Sequence, residues 1–167
     1  SGRAKLFSQI SATPQGHALW EALAAGGALS CAGVDAAGWA HLAAELRART
    51  GRTVVLVVAN LKFQETLQQD LETWLRLMEV DAPAKYFPDW EVLPHEHKLP
   101  HADAISERLE TLQALAGGGP APVITTTVAA LMQCTLPPSE VAHRTRTLRL
   151  GDRLDPLDFV EWLEAQA

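Results

Sequence analysis

The stretch that most constrains the fold is TVVLVVA, at residues 53–59. It is continuously apolar, it is rich in β-branched valine, and polar residues flank it on both sides. Such a run is typical of a strand in a parallel sheet, because helices cover both faces of that sheet and both sets of side chains are buried. We therefore predict a parallel β-sheet in a chain whose strands alternate with helices.

The rest of the chain supports this alternation. Residues at helical spacing predict helices after Thr13-Pro14, at residues 39–50, after Asn60 and at residues 102–116. A last helix is predicted to begin at Asp155-Pro156, with Asp155 as its cap and with Leu157, Val160 and Leu163 facing inward. Further strands are predicted at residues 28–32, within 85–98, at 123–127 and at 145–150, and a short helix at 128–133. The predicted fold class is α/β, with a mostly parallel sheet flanked by helices.

Composition narrows the classes of function. The chain has 167 residues, 47% of them hydrophobic, which is enough for a core, and a formal net charge of -6. A net negative charge repels phosphates and argues against general binding of DNA or RNA. The longest apolar run is far shorter than the roughly 20 residues that span a bilayer, so we expect a cytoplasmic protein without membrane contact. Cys31 and Cys134 lie far apart and are predicted to be buried, reduced thiols.

One candidate site is the segment GVDAAGWA at residues 33–40. Gly33 and Gly38 have the spacing of a phosphate-binding loop, GxxxxGK[ST], which lies between a strand and a helix. Trp39 stands at the position of the lysine and Ala40 at that of the hydroxyl residue that binds magnesium, so the catalytic equipment is absent. The segment is either a plain turn or a degenerate P-loop that retains some phosphate binding.

Other polar residues give weaker signals. His95, His97 and His101 are close in sequence, but prolines interrupt the segment, and we interpret it as a histidine-rich loop without a metal. Acidic residues could supply pairs for acid–base chemistry, but nothing in the sequence fixes the distances between them. The candidates are Asp35, Asp89, Glu91, Asp103 and Glu107. Glu107 and Arg108 either pair with the PDWE loop at residues 88–91 or are exposed to solvent.

A longer pattern is more specific. Residues 86–96 read YFPDWEVLPHE, and residues 99–115 read LPHADAISERLETLQAL. These segments resemble the N-terminal part of bacterial transcription-repair coupling factors, the Mfd family. The resemblance extends in order through VVLVVAN at residues 54–60, DLETWL at 70–75, VITTTVAALMQCTLPP at 123–138 and LRLGDRLDPLDFVEWL at 148–163. The matching positions that we single out are Phe87, Pro88, Trp90, Glu91, Leu93, Pro94, Glu96 and Arg108.

The resemblance implies a function without catalysis by this segment. The family's N-terminal module is similar to the first subdomain of the repair helicase subunit UvrB, with a P-loop that has lost its ATPase residues. It implies recruitment of UvrA to a stalled RNA polymerase, and autoinhibition of a longer translocase whose motor domains bind ATP and magnesium. No cofactor is expected here. Residues 1–136 would be the UvrB-like subdomain, and residues 137–167 the start of a second subdomain of the UvrA-interacting type.

The resemblance also assigns a structural role to the motif. Trp90, Leu93, Pro94 and Leu109 are expected to hold the loop of residues 88–98 against the helix at residues 102–116.

Overall fold

The computed structural model describes residues 12–90, 92, 95 and 98–166. These residues form a three-stranded parallel sheet with helices on both faces, which confirms the predicted α/β class. In chain order the elements are α1 (Pro14–Ala25), α2 (Ala36–Thr50), β1 (Val54–Val58), α3 (Leu61–Leu77), β2 (Ala84–Phe87), α4 (Ala102–Ala116), β3 (Val123–Thr127), α5 (Val128–Leu131), α6 (Pro138–His143) and α7 (Pro156–Glu164).

The sheet has the strand order β1-β3-β2, so the last strand in the sequence lies in the middle. Val123 of β3 is level with Val54 of β1 and with Ala84 of β2. After β1 the chain skips the central position of the sheet and forms β2 on the far side of it. It then turns back and forms β3 between the two earlier strands. Because both crossovers are expected to be right-handed, this reversal places α3 and α4 on opposite faces of the sheet.

The face covered by α2 and α3 carries the larger apolar cluster. Leu67, Leu71 and Leu75 of α3 are buried against Val54 and Val123, with Ala40, Ala43 and Ala44 of α2 beside them. Leucine at i, i+4 and i+8 forms one stripe on a helix, so the predicted apolar face of α3 is confirmed.

The opposite face is covered by α4 and α5 and has a smaller apolar cluster. Phe87 and Ile124 are buried there with Ala130, and Leu112 packs against them. Thr111 fastens α4 to the sheet, since its hydroxyl donates to the Tyr86 carbonyl over 3.0 Å.

Local capping explains where most helices begin. The side chains of Thr13, Asp35, Asn60 and Asp155 accept backbone N–H groups at the starts of α1, α2, α3 and α7. Oxygen-bearing side chains at these positions satisfy amides that have no partner within the helix. Thr13 and Asp155 also precede Pro14 and Pro156, as the sequence predicts.

Two predicted strands are wrong. Residues 28–32 and 145–149 have no regular secondary structure apart from a turn at residue 32, and residue 150 lies in a second turn. Both stretches are apolar or alternating, but neither lies beside a strand of the sheet. The sequence analysis also missed α6, in which Pro138 occupies the first turn and Val141 is buried.

The predicted orientation of two helices also needs correction. On α4 the buried positions are Ala104, Arg108 and Thr111, whereas Leu109 is 43% exposed. On α7, Leu157, Val160 and Leu163 are exposed, and the half-buried Phe159 and Trp162 stack on each other instead.

The cysteine prediction is half wrong, since Cys31 is half-buried but Cys134 is exposed, and both thiols are free. Within the described ranges, no helix combines the length and the apolar character needed to cross a membrane.

Candidate interaction surface around Arg108

The most unusual side chain in the structure is Arg108, which lies on α4 and is only 1% exposed. Its guanidinium carbon is 4.1 Å from the centroid of the Phe87 ring and 4.1 Å from that of the Trp90 ring. The cation is therefore enclosed by two aromatic rings, one from the end of β2 and one from the loop that follows. Attraction between a cation and a ring face is strongest where water is excluded, as it is here.

Hydrogen bonds fix the position of the same side chain. Arg108 Nη1 donates to the Pro88 carbonyl over 2.7 Å and to Gln133 Oε1 over 3.2 Å. Gln133 Oε1 also accepts the backbone N–H of Trp90 over 3.0 Å. Three segments, the end of β2, helix α4 and the chain after α5, are therefore joined at one point, which we call the Arg108 cluster (Phe87, Pro88, Trp90, Arg108 and Gln133).

The charge in this cluster is only partly compensated. Burial lowers the pKa of Arg108, and the nearby carboxylate of Asp89 acts in the opposite direction. Among the described residues, Nε and Nη2 of Arg108 are buried and have no hydrogen-bond partner. A buried cation with unpaired N–H groups lowers the stability of the fold, so the ring contacts and the Pro88 carbonyl must offset that cost.

The structure brings together four of the residues singled out from the sequence: Phe87, Pro88, Trp90 and Arg108. Four others, Glu91, Leu93, Pro94 and Glu96, lie outside the described residues. Of the two alternatives for Arg108, pairing with the loop is confirmed.

The partners proposed for the loop were only partly right. Leu109 is 43% exposed, and in the described part of the loop the helix residue that contacts Trp90 is the preceding Arg108. Gln133 was missed, because nothing in the sequence links a polar residue after α5 to the loop before α4.

Beside the cluster, a cleft of about 370 Å³ lies at the β2 edge of the sheet, where residues of α3, α4 and the end of β2 line it. Its charged lining is mainly acidic and comprises Glu65, Glu72, Asp103 and Glu107, with His101 at one end. Burial raises the pKa of Glu107, and the carboxylates of Asp103 and Glu110 raise it further. Of the candidate acidic residues, Asp103 and Glu107 thus share a cleft, and the polar residues that line it with them are Glu65, Gln68, Gln69, Glu72, Tyr86 and His101.

The segment of residues 33–40 does not have the geometry of a P-loop in this structure. The preceding residues 28–32 are not a strand, and Gly38 lies in the first turn of α2. The Gly38 N–H is bound by the carboxylate of Asp35 over 2.8 Å. A negative side chain therefore occupies the helix N-terminus that would otherwise attract a phosphate.

The two substituted positions of that segment belong to the core. Ala40 is fully buried, and Trp39 packs against the apolar cluster around α3. Gly33 has a φ of 85° in the turn before α2, a conformation that favours glycine without any ligand.

Of the three histidines singled out from the sequence, two belong to the described residues. His95 is exposed, and His101 caps α4, with Nδ1 accepting the Asp103 N–H over a long 3.4 Å; His97 lies outside the described residues. In the part of the chain that the structure describes, no three His, Cys, Asp or Glu side chains are grouped as metal ligands.

Comparison with known proteins gives one informative match. No family model matches the chain. The chain is similar to a transcription-repair-coupling factor from Haemophilus influenzae, with 37% identity over 68 residues. A region of this chain is related to that factor. The aligned residues are 41% of this chain and 6% of the Haemophilus influenzae protein, so the chain spans only a small part of the coupling factor's length. The UvrB-like character of this region stays a prediction.

Proposed function

We propose that this chain is a non-catalytic module of a transcription-repair coupling factor. In this proposal it forms part of the scaffold that recruits UvrA to a stalled RNA polymerase for nucleotide-excision repair. It also contributes to autoinhibition of the full-length translocase, whose motor domains supply ATP and magnesium binding.

The observation that carries the proposal is the Arg108 cluster. The residues of the FPDW motif that resemble the family are the same residues that enclose Arg108, so residues 87–90 at the end of β2 are held in place. A segment held by directional bonds is organised before a partner arrives, which lowers the entropic cost of binding. This supports an interaction role better than a catalytic one, since among the described residues the guanidinium is covered by two aromatic rings.

The division of the chain belongs to the same proposal. Residues 1–136 would form the UvrB-like subdomain and residues 137–167 the beginning of the UvrA-interacting one. The exposed apolar side chains on α7, Leu157, Val160 and Leu163, are consistent with a helix whose partner surface belongs to that second subdomain.

Direct titration tests the recruitment role. Calorimetry of the purified chain against UvrA from the same organism is expected to give saturable binding in the low micromolar range. Trp90→Ala should weaken that binding, and Lys62→Ala, at an exposed position on α3, should not. Both variants are compared at a temperature where circular dichroism shows them folded.

The matching test uses the full-length coupling factor. Deletion of this segment should abolish recruitment of UvrA in a reconstituted repair reaction and should raise the ATPase activity of the factor in the absence of polymerase. Normal recruitment together with unchanged ATPase activity would contradict the proposal.

The alternative function is nucleotide binding at residues 33–40, and no observation favours it. A thermal-shift titration with ATP or ADP and magnesium is expected to leave the melting temperature unchanged up to millimolar nucleotide, because Asp35 already occupies the Gly38 amide. Asp35→Asn serves as the comparison, since it keeps a cap without the negative charge. A saturable shift in the parent chain would restore the nucleotide-binding alternative.

A further inference from the structure

Strand β1 has one edge without a neighbour among the described residues, because the strand order places β3 on its other side. The direction of its backbone groups follows from one bond: the Val54 N–H donates to the Pro122 carbonyl, on the β3 side, over 3.2 Å. Backbone groups of successive residues in a strand point to alternate sides. The N–H and C=O groups of Val55 and Val57 therefore point to the open edge.

The residues of β1 itself include none of the types that usually prevent strand pairing. The sequence of β1 is VVLVV, without proline, glycine or a charged residue. The side chains of Val55 and Val57 are 48% and 49% exposed. Natural proteins normally protect such an edge with a charge, a proline or a covering element, because it is a template for another strand.

A groove of about 550 Å³ lies along the first half of this edge. Trp20 and Leu23 of α1 line one part of it, and Val54 and Val55 of β1 line another. The side chains of Val54 and Val55 point to opposite faces of the sheet. A groove that contacts both residues therefore lies along the edge of the strand rather than over one face of the sheet. A helix on one side and an unpaired strand on the other is the arrangement that receives an extended peptide.

The polar groups of the groove indicate the chemistry of that peptide. The indole Nε1 of Trp20 is buried, and no described residue accepts a hydrogen bond from it. Among the described residues, the charged side chains that line the groove are Arg49 and Arg52. Arg49 already forms an ion pair with Glu45, in which Nη2 and Oε1 are 2.8 Å apart. The remaining positive charge is complementary to an acidic side chain.

We propose that this groove binds an extended, acidic and apolar peptide segment of a partner protein, which adds to the sheet as a strand beside β1. Main-chain hydrogen bonds to Val55 hold the peptide, alternate apolar side chains pack against Val55 and α1, and a carboxylate lies near Arg52. The role is separate from the Arg108 cluster and does not depend on the proposed repair function.

The test uses a fluorescein-labelled synthetic octapeptide of alternating valine and glutamate, blocked at both ends, in fluorescence anisotropy with the full chain. Two matched peptides carry N-methyl groups on alternate amides, one on the odd set and one on the even set. When the peptide adds to the sheet as a strand, only one of the two sets of alternate amide groups faces β1. The peptide methylated on that set should bind about 10-fold more weakly, and the other should bind nearly normally. Equal affinity of the two methylated peptides would overturn the proposal.

Variants of the chain give a second measurement. Val55→Pro removes an N–H at the open edge without removing a bond to β3, a place where edge strands tolerate proline. It should reduce binding about 10-fold, whereas Val55→Thr should retain it and Arg52→Glu should weaken it. If the Val55→Pro variant does not fold, the proposal is tested by the binding of the two methylated peptides to the parent chain alone.

Sedimentation of the parent chain checks for a different occupant. A monomer at all concentrations is expected. A dimer that Val55→Pro dissociates would mean that a second copy occupies the edge, and it would overturn the peptide proposal.

Discussion

On its α3 side the sheet is covered by leucine, valine and alanine, while on its α4 side a buried arginine lies between two aromatic rings. The first cluster depends on shape and volume, so any set of side chains that fills the same space would serve. The second depends on direction, because one guanidinium must meet two rings, a carbonyl and an amide oxygen at once. The difference between the two faces is that the apolar cluster supplies stability, whereas the Arg108 cluster holds residues 87–90 in place.

The largest expected effect is in the apolar cluster. Leu71 is fully buried, and Leu71→Ala should lower the free energy of unfolding by about 4 kcal/mol, through lost burial and the cavity that remains. Urea denaturation followed by circular dichroism measures it. Leu157→Ala, at a position 75% exposed, is the control and should change stability by less than about 0.5 kcal/mol. Equal effects would mean that the α3 side is not the main source of stability.

In the Arg108 cluster, packing and charge can be separated by two substitutions. Arg108→Ala empties the space between the rings and should cost about 3 kcal/mol. Arg108→Met refills that space without a buried charge, and should cost only about 1 kcal/mol for the unpaired Pro88 carbonyl. The same denaturation experiment compares them. If methionine costs as much as alanine, directional bonds rather than packing hold this side of the sheet.

Trp90 is half-buried, so its removal should have a smaller effect than the loss of a fully buried ring. We expect Trp90→Ala to cost about 2 kcal/mol, because Arg108 loses one of its two ring contacts and becomes hydrated. Trp90→Phe keeps a ring and should cost less. Thermal unfolding at neutral pH measures both, and an unchanged melting temperature for Trp90→Ala would show that the loop does not stabilise the fold.

The smallest of these effects depends on pH. The pKa of Glu107 is raised above its ordinary value of 4.5, chiefly by burial, so the folded state favours the protonated form. Its contribution to stability is present below pH 4.5 and is lost as the pH rises through the folded-state pKa. Glu107→Gln should therefore raise the melting temperature at pH 7, and the gain should vanish at pH 4. Glu161→Gln on α7 is the control, and a gain at pH 4 as large as that at pH 7 would contradict the expected sign.

Periodicity predicted the elements whose partners lie within the domain. The strand β1 and the leucine stripe of α3 were both found from the sequence. Val54 and Val58 of β1 are buried, but Val55 and Val57 are about half exposed, so the prediction that both faces of this strand are buried was wrong for one face. The same reasoning gave the wrong orientation for α4, because it assumed that leucine rather than arginine faces the core. An arginine stem is long and apolar, and two rings accept its charged end, but neither fact is visible in the helical spacing.

The two strands that were predicted wrongly came from local sequence patterns in segments that pair with no described strand. Residues 28–32 and 145–149 have the composition of strands, yet a strand forms only where another strand offers backbone partners. The glycine spacing at residues 33–40 left a plain turn and a degenerate P-loop as alternatives, and residues 28–32, where a P-loop requires a strand, do not form one. Capping residues were more dependable, because a cap needs only the four residues around it.

The strand order also dictates when this protein can fold during its synthesis. The central strand β3 is the last of the three to leave the ribosome, so neither β1 nor β2 has a partner until Thr127 has emerged. Until then the apolar residues of β1 and α3 are exposed on a nascent chain, at an elongation rate of about 5–20 residues per second. A chain truncated before Val123 would lack the central strand that pairs with β1 and β2, whereas a chain that extends past Thr127 would contain all three strands of the sheet.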